Sequence, residues 1–221
     1  MQIYLRDSLS SYGSRRVVVE LDGSLASSLL AVLAVDSIGS RNVIGLLVER
    51  DDAIAPEQVE KESLRRRLVR DLSASLHIRL VTRSAGFLTE SFDRDRSYPN
   101  AARSENLAVS VILEDLADEY GAGILSPLTK TDYSLPGKRV DRYRFASLAP
   151  FGDVFLTDLE FVARYRNRVS EVLPSSLVSL SEVEAAMSRF CTTRCTGELR
   201  TGIGLRMPRR FSTSLMLLKS M

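Results

Sequence analysis

The sequence predicts an α/β fold, an open parallel sheet of about five strands with helices on both faces. Three observations predict it. Short apolar, β-branched runs recur along the chain, and most are followed by a longer segment with apolar residues at helical spacing. The first run, Val17-Val18-Val19-Glu20-Leu21, enters a turn of small polar residues, Asp22-Gly23-Ser24, that opens directly into a helix. The alternation continues to the end of this region, with a strand at residues 123–126 and a further helix at 158–168.

Each element follows from its own residues. The unbroken apolar character of residues 17–21 suits a strand covered on both faces. Leu25, Leu29, Val32, Leu33 and Ile38 give residues 25–38 a helical stripe. A second buried strand is expected at residues 43–48. Residues 56–76 read as a helix, with Pro56 in the first turn and Val59, Leu64, Leu68, Leu72 and Leu76 as its apolar stripe. Ile78-Arg79-Leu80-Val81 supplies the third strand. Residues 92–104 are polar, arginine-rich and contain Pro99, which predicts a mobile surface loop. A periodic helix over residues 107–120 stops at Gly121, a fourth strand occupies 123–126, and another helix covers 158–168. Residues 1–172 thus read as one α/β domain. Residues 173–221 read as a serine-rich linker, a helix at 182–190 and a basic tail with Arg200, Arg206, Arg209 and Arg210, packing on the same domain. In such sheets ligands bind beyond the carboxyl ends of the strands, so the loops after Leu21, Val48 and Ser126 are expected to share one cleft.

Composition narrows the function classes. The 221 residues are 44% hydrophobic and 26% charged, with a formal net charge of +2, ordinary for a soluble globular protein. That charge gives no strong signal for nucleic acid or membrane. No apolar run approaches the roughly 20 residues needed to span a bilayer. The first residues lack the basic start and apolar core of a signal peptide, so a cytoplasmic location is expected. Cys191 and Cys195 stand one helical turn apart, and no second Cys or His pair completes a zinc site around them. They read as packing cysteines in a reducing compartment. His77 is the single histidine and lies in an apolar stretch.

Four motifs, in order, resemble ammonia-dependent NAD synthetase and its relatives among the N-type ATP pyrophosphatases. The strand, turn and helix at 17–38 are similar to that family's phosphate loop, which reads Ser-Gly-Gly-x-Asp-Ser. Ile112-Leu113-Glu114-Asp115-Leu116-Ala117 matches the helix before the fourth strand. Thr129-Lys130-Thr131-Asp132 is similar to the family's Asn-Lys-Ser-Glu turn. Leu148-Ala149-Pro150-Phe151-Gly152-Asp153-Val154-Phe155-Leu156-Thr157 resembles its Ile-Ala-Pro-Ile-Gly-Asp-Leu-Tyr-Lys-Thr. The resemblance implies a Rossmann-like fold over roughly residues 15–170, a loop that holds the pyrophosphate of ATP, magnesium beside the phosphates, and amide formation on an adenylated carboxylate. It also implies a dimer, paired through helices near the middle of the chain such as 107–120. The candidate nucleotide-binding residues it implies are Asp22, Gly23, Ser24, Ser27, Ser28, Lys130, Thr131 and Thr157.

Position by position, the chemistry of the loop departs from that pattern. Asp22 replaces the first Ser, Ser24 the second Gly and Ala26 the Asp, whereas Gly23 and Ser27 are retained. A carboxylate at position 22 repels phosphate at short range, and Ser24 adds a Cβ where backbone approaches the ligand. Leu156 stands in place of a lysine, Ser147 in place of an aspartate, and Leu107-Ala108-Val109 lacks the arginine at the start of that helix. Gly45, Pro150, Gly152 and Asp153 persist as framework, with Asp153 a candidate cap for the next helix. Two readings follow. In the first the protein is a diverged, non-catalytic member that serves as partner subunit to an active paralogue, or as a ligand-binding module. In the second it is an active ATP-dependent ligase of altered substrate, using ATP and magnesium, with Asp22 as a possible metal ligand and Lys130 paired to a phosphate. Turn geometry and helix capping are the alternative account of Gly23, Ser27, Lys130 and Thr157.

Overall fold

A computed structural model describes residues 2–174, apart from 12, 50–55, 95–96, 98–99 and 135–137. Its sheet is built from β1 (Val17–Glu20), β2 (Val43–Glu49), β3 (Arg79–Ser84) and β4 (Gly123–Leu125). All pair in parallel, in the order β3-β2-β1-β4, with Val17 opposite both Val43 and Gly123. The fifth position is a stub: Leu148 forms one parallel bridge to Leu125, and Ser126 N–H donates to its carbonyl at 2.8 Å. The expected sheet is therefore present, with four described strands and this single rung beyond them.

Seven α-helices are described: α1 (Gln2–Ser11), α2 (Leu25–Ile38), α3 (Pro56–Ser75), α4 (Gly86–Asp93), α5 (Ala101–Tyr120), α6 (Lys130–Ser134) and α7 (Leu156–Asn167). Strand alternation sorts them onto two faces. Val17, Val19 and Leu21 join a core with side chains of α1, α2, α3 and α7. Val18, Ile44, Leu46 and Val81 turn the other way, against α5 and the short 3-10 helix Lys138–Tyr143. Right-handed crossovers require this division, because the chain moves outward from β1 to β3 and then returns to β4. Gly45 marks a close approach between strands, since a Cβ there would lie 2.9 Å from Leu21 Cδ1.

Several expectations are corrected. Residues 92–104 are not one loop: α4 runs to Asp93, and α5 begins at Ala101, capped by Asn100. Asp93 Oδ1 ties the two helices by accepting from Ser104 Oγ at 2.6 Å and from Asn100 N–H at 3.3 Å. The apolar stripe expected along α3 holds at its carboxyl end, where Leu72 and Leu76 are buried, and fails in its first half. Val59 and Leu64 are exposed, and the buried face runs through Glu62, Val69, Leu72 and Leu76. Nor does α5 need a partner to cover it. Val109, Ile112, Leu113 and Leu116 are buried within the chain, and Val111 is its one exposed large apolar side chain. The exposed large apolar side chains include Ile3, Tyr4, Phe161, Tyr165 and Val169, on α1, on α7 and just beyond it. Asp153 does not cap α7; Phe155 occupies the N-cap position without a side-chain bond. α1 was not expected. It buries Leu5 and Leu9, one turn apart, and Arg6 donates to Ser37 O through Nε and Nη2. The expected helix at 182–190, Cys191, Cys195 and the basic tail lie outside the described residues. No helix among the described residues is long and apolar enough to cross a membrane.

Candidate functional site

The strand order reverses at β1, so the crevice beyond the carboxyl ends of β1 and β4 is the expected ligand position. The turn after β1 is fixed by its own side chains. Leu21 N–H still bonds across to Leu46 O at 2.8 Å, after which the chain leaves the sheet. Ser24 takes extended dihedrals as the N-cap of α2, and its Oγ accepts from Ser27 N–H at 3.3 Å. Asp22 folds back over this cap: its Oδ1 accepts from Ser24 N–H at 2.9 Å and from Ser27 Oγ at 2.6 Å. A helix N-terminus presents such donors to an anion. Here a carboxylate of the chain itself receives them.

The turn is also covered from above. Gly23 has φ +80°, and a Cβ on it would lie 2.7 Å from Arg65 Cγ. Arg65 comes from the first half of α3. It donates to Glu62 through Nε (2.8 Å) and Nη2 (2.6 Å), and to Val48 O at 2.9 Å. Glu62 and Arg65 occupy the core-facing stripe of α3 where it passes over the loop, which is why Val59 and Leu64 point outward. Stepping back from Leu72 and Val69 by helical spacing reaches both residues, so the signal was in the sequence. Gly23→Ala is expected to destabilise the protein by about 1–2 kcal/mol through the left-handed backbone alone, plus displacement of Arg65. Thermal unfolding of the variant checks this.

A second cluster lies against the loop. Glu20, the last residue of β1, is fully buried. Arg142, from the 3-10 helix, donates to it through Nε at 3.0 and 2.8 Å and through Nη2, and Tyr143 OH donates at 2.8 Å. Arg142 Nη1 reaches Glu105 Oε1 at 3.3 Å and Asn106 Oδ1 at 3.4 Å, so the cluster ties β1 to α5. Burial draws the Arg142 pKa down. The charge and hydrogen bonds of Glu20 outweigh it, with Tyr143 and Asp22 adding, and hold the guanidinium well above its ordinary value. Sequence reasoning missed this group, whose partners are separated by more than half the chain.

The remaining candidates belong to a separate bonded group around the start of α7. Thr129 and Asp132 form a reciprocal capping box: Asp132 Oδ2 accepts from Thr129 N–H (2.8 Å) and Oγ1 (2.6 Å), and Thr129 Oγ1 accepts from Asp132 N–H (3.3 Å). Thr131 Oγ1 accepts from Leu156 N–H at 3.0 Å, taking the capping role expected of Asp153. The exposed Lys130 lays its Nζ 4.9 Å from the centre of the Phe155 ring, while Thr157 is exposed in the first turn of α7. Ser28 and Ala26 are buried in α2, and Ser147 Oγ accepts from Ile124 N–H at 3.2 Å. Turn and cap geometry therefore accounts for the contacts of Ser27 and Thr131.

Comparison with known proteins gives a consistent answer. Residues 1–108 match the profile of the NAD synthase family. The glutamine-dependent NAD(+) synthetase of Aquifex aeolicus is 26% identical over 181 residues, covering 79% of this chain and 31% of that protein. The NH(3)-dependent NAD(+) synthetase of Chlorobaculum parvum is also 26% identical, over 77% of this chain and 60% of its own length. The chain thus spans from about a third to three fifths of these relatives. Among solved structures, the glutamine-dependent NAD+ synthetase of Acinetobacter baumannii in complex with adenosine diphosphate superposes with a TM-score of 0.69 at 21% identity, over 80% of this chain and 34% of that one. Fold, motif order and matched relatives agree: over its amino-terminal half the chain is similar to the NAD synthase family, and its fold is that of the solved NAD synthetases.

Proposed function

We propose that this chain is a diverged NAD synthetase-like protein that does not carry out ammonia-dependent NAD synthesis and acts in the cytoplasm as a partner subunit or ligand-binding module. The observation that carries this reading is the Asp22 carboxylate, seated on the Ser24 N–H and the Ser27 hydroxyl. Adenylation of a carboxylate needs backbone donors and positive charge around a departing pyrophosphate. In this turn the donors are already used, by a group that would repel the leaving group as well.

Magnesium fits the site poorly. The ion is ordinarily held by one or two carboxylates together with the substrate phosphates. Asp22 is the loop's one carboxylate, and its Oδ1 already accepts two hydrogen bonds. No group of three or more His, Cys, Asp or Glu side chains suited to a metal occurs among the described residues. ATP fits poorly for the same reason, with Arg65 over Gly23 where a phosphate would approach the backbone.

A second reading, an ATP-dependent amide-forming or adenylating ligase of altered substrate, draws support from the matched synthetases and from the exposed Lys130 at the start of α6. ATP–pyrophosphate exchange separates the two. The first reading expects no exchange above background with deamido-NAD and ammonium, or across a panel of other carboxylates. Exchange with any of them would establish the second.

The same reading includes pairing, either with a second copy or with an active paralogue. The surface that supports it is the α1–α7 face, where a groove of about 500 Å³ runs between Ile3, Leu33, Val162, Tyr165 and Val169 over the Asp36–Arg166 ion pair. Phe161→Glu combined with Tyr165→Glu is expected to convert an assembled species to monomer with little change in unfolding temperature, because both side chains are exposed. Sedimentation velocity reads the outcome.

A further inference from the structure

The amino-terminal edge of the sheet carries a feature that the family likeness leaves without a role. Arg16 precedes β1, Arg41 precedes β2, and His77 and Arg79 bracket the entry to β3, so parallel pairing gathers four basic side chains along one edge. With Ser40 and Tyr120 they surround a cavity of about 300 Å³ floored by Val43 and Ile44. Strand length alone puts this edge roughly 15 Å from the Asp22 turn.

The basic groups are held, not merely adjacent. Arg79 lies 4.9 Å over the Tyr120 ring, and Arg16 Nη1 donates to Tyr120 O at 3.4 Å. His77 is the one non-glycine residue with positive φ among those described, and its Nδ1 lies 2.7 Å from Ala74 O. A carbonyl can only accept, so Nδ1 donates to it and this bond fixes the ring at the rim of the pocket. Among the described residues no ion pair includes Arg16, Arg41 or Arg79. Each guanidinium has five N–H donors, and the contacts named here use few of them. Three guanidinium charges around one small cavity, in a chain whose formal net charge is +2, repel one another unless a counter-charge intervenes.

We propose that this pocket binds a small, multiply charged oligophosphate anion, gripped by Arg16, Arg41 and Arg79. A half-open pocket of this size with an apolar floor suits a compact anion rather than a polynucleotide backbone, which needs an extended basic track.

The test uses inorganic tripolyphosphate as probe on the full chain, followed by calorimetry and by amide NMR shifts. Saturable binding is expected, with shifts at Arg41, Ile44, His77 and Arg79, at matched ionic strength against sodium sulfate. Arg41→Gln with Arg79→Gln should weaken binding by at least about tenfold, each charged hydrogen-bond donor being worth about a factor of ten. Both side chains are exposed, and an unchanged unfolding temperature would show that the double variant is folded. The proposal is overturned if tripolyphosphate does no more than sulfate, if the double variant binds as well as the parent, or if the shifts fall at Ser24 and Ser27 instead. Single-stranded RNA that binds this edge and is not displaced by tripolyphosphate would also overturn it, in favour of a nucleic-acid surface.

Discussion

Replacing Arg142 with methionine is expected to lower the unfolding free energy by about 3–5 kcal/mol, the usual loss when one partner of a buried ion pair is removed. Glu20 is fully buried, and three of its described contacts come from Arg142 through Nε and Nη2. Without the guanidinium, a carboxylate would remain at the end of β1 with Tyr143 OH as its remaining described donor. The loss reflects the stranded charge more than the worth of the pair. The double variant Glu20→Leu with Arg142→Met should therefore recover most of it, leaving a deficit of about 1 kcal/mol for the Tyr143 hydroxyl that loses its acceptor. Urea unfolding followed by circular dichroism makes the comparison, since the chain has no tryptophan. A double variant as unstable as the single one would mean that packing, not charge, holds this corner together.

The pH dependence has a definite sign from the arginine side. The folded-state pKa of Arg142 is raised well above its ordinary value by Glu20, against the opposing effect of burial. A raised value contributes stability that is complete below the unfolded pKa and is lost only as pH rises through the folded one. From about pH 6 to about pH 10 the charge on Arg142 is thus constant in both states. Its contribution gives no slope to stability across that window.

How much of this was legible in the sequence depended on distance along the chain. The run from Val17 to Ser28 carries its own instructions, because a buried strand, a glycine turn and an N-cap serine are specified by neighbours. The fold followed from repeating that reading, and the four parallel strands fall where the apolar runs are. α1 rests on just two buried leucines, Leu5 and Leu9, too short a signal for a periodicity argument. The stripe of α3 was read correctly at Leu72 and Leu76 and misread in its first half, because Leu64 looks like core while helical spacing back from Leu72 and Val69 gives the inner face to Arg65 and Glu62. Glu20 and Arg142 are 122 positions apart, and a charged residue at the end of an apolar run gives no hint of its partner. Asp22 was legible as a charge. Its direction, turned inward onto Ser24 and Ser27, was not.

That direction sets the second large effect, because repulsion and occupancy predict different mutant series. In an Arg41→Gln, Arg79→Gln background, which removes the basic pocket as a competing site, Asp22→Ser is expected to tighten pyrophosphate binding at the loop by about tenfold to a hundredfold. The estimate follows from one charge-assisted donor returned to the ligand, at about 1.5–3 kcal/mol. Asp22→Asn removes the charge and keeps an oxygen that can still accept from Ser24 N–H and Ser27 Oγ. If repulsion alone excluded phosphate, the two variants would gain equally. If the carboxylate occupies the anion position, serine gains clearly more than asparagine, with a stability cost of about 1 kcal/mol for the lost capping acceptor. Amide shifts at Ser24 and Ser27 during the titration report the event at the turn itself. No gain in either variant would transfer the block to Arg65, whose stem covers Gly23 whatever residue stands at position 22.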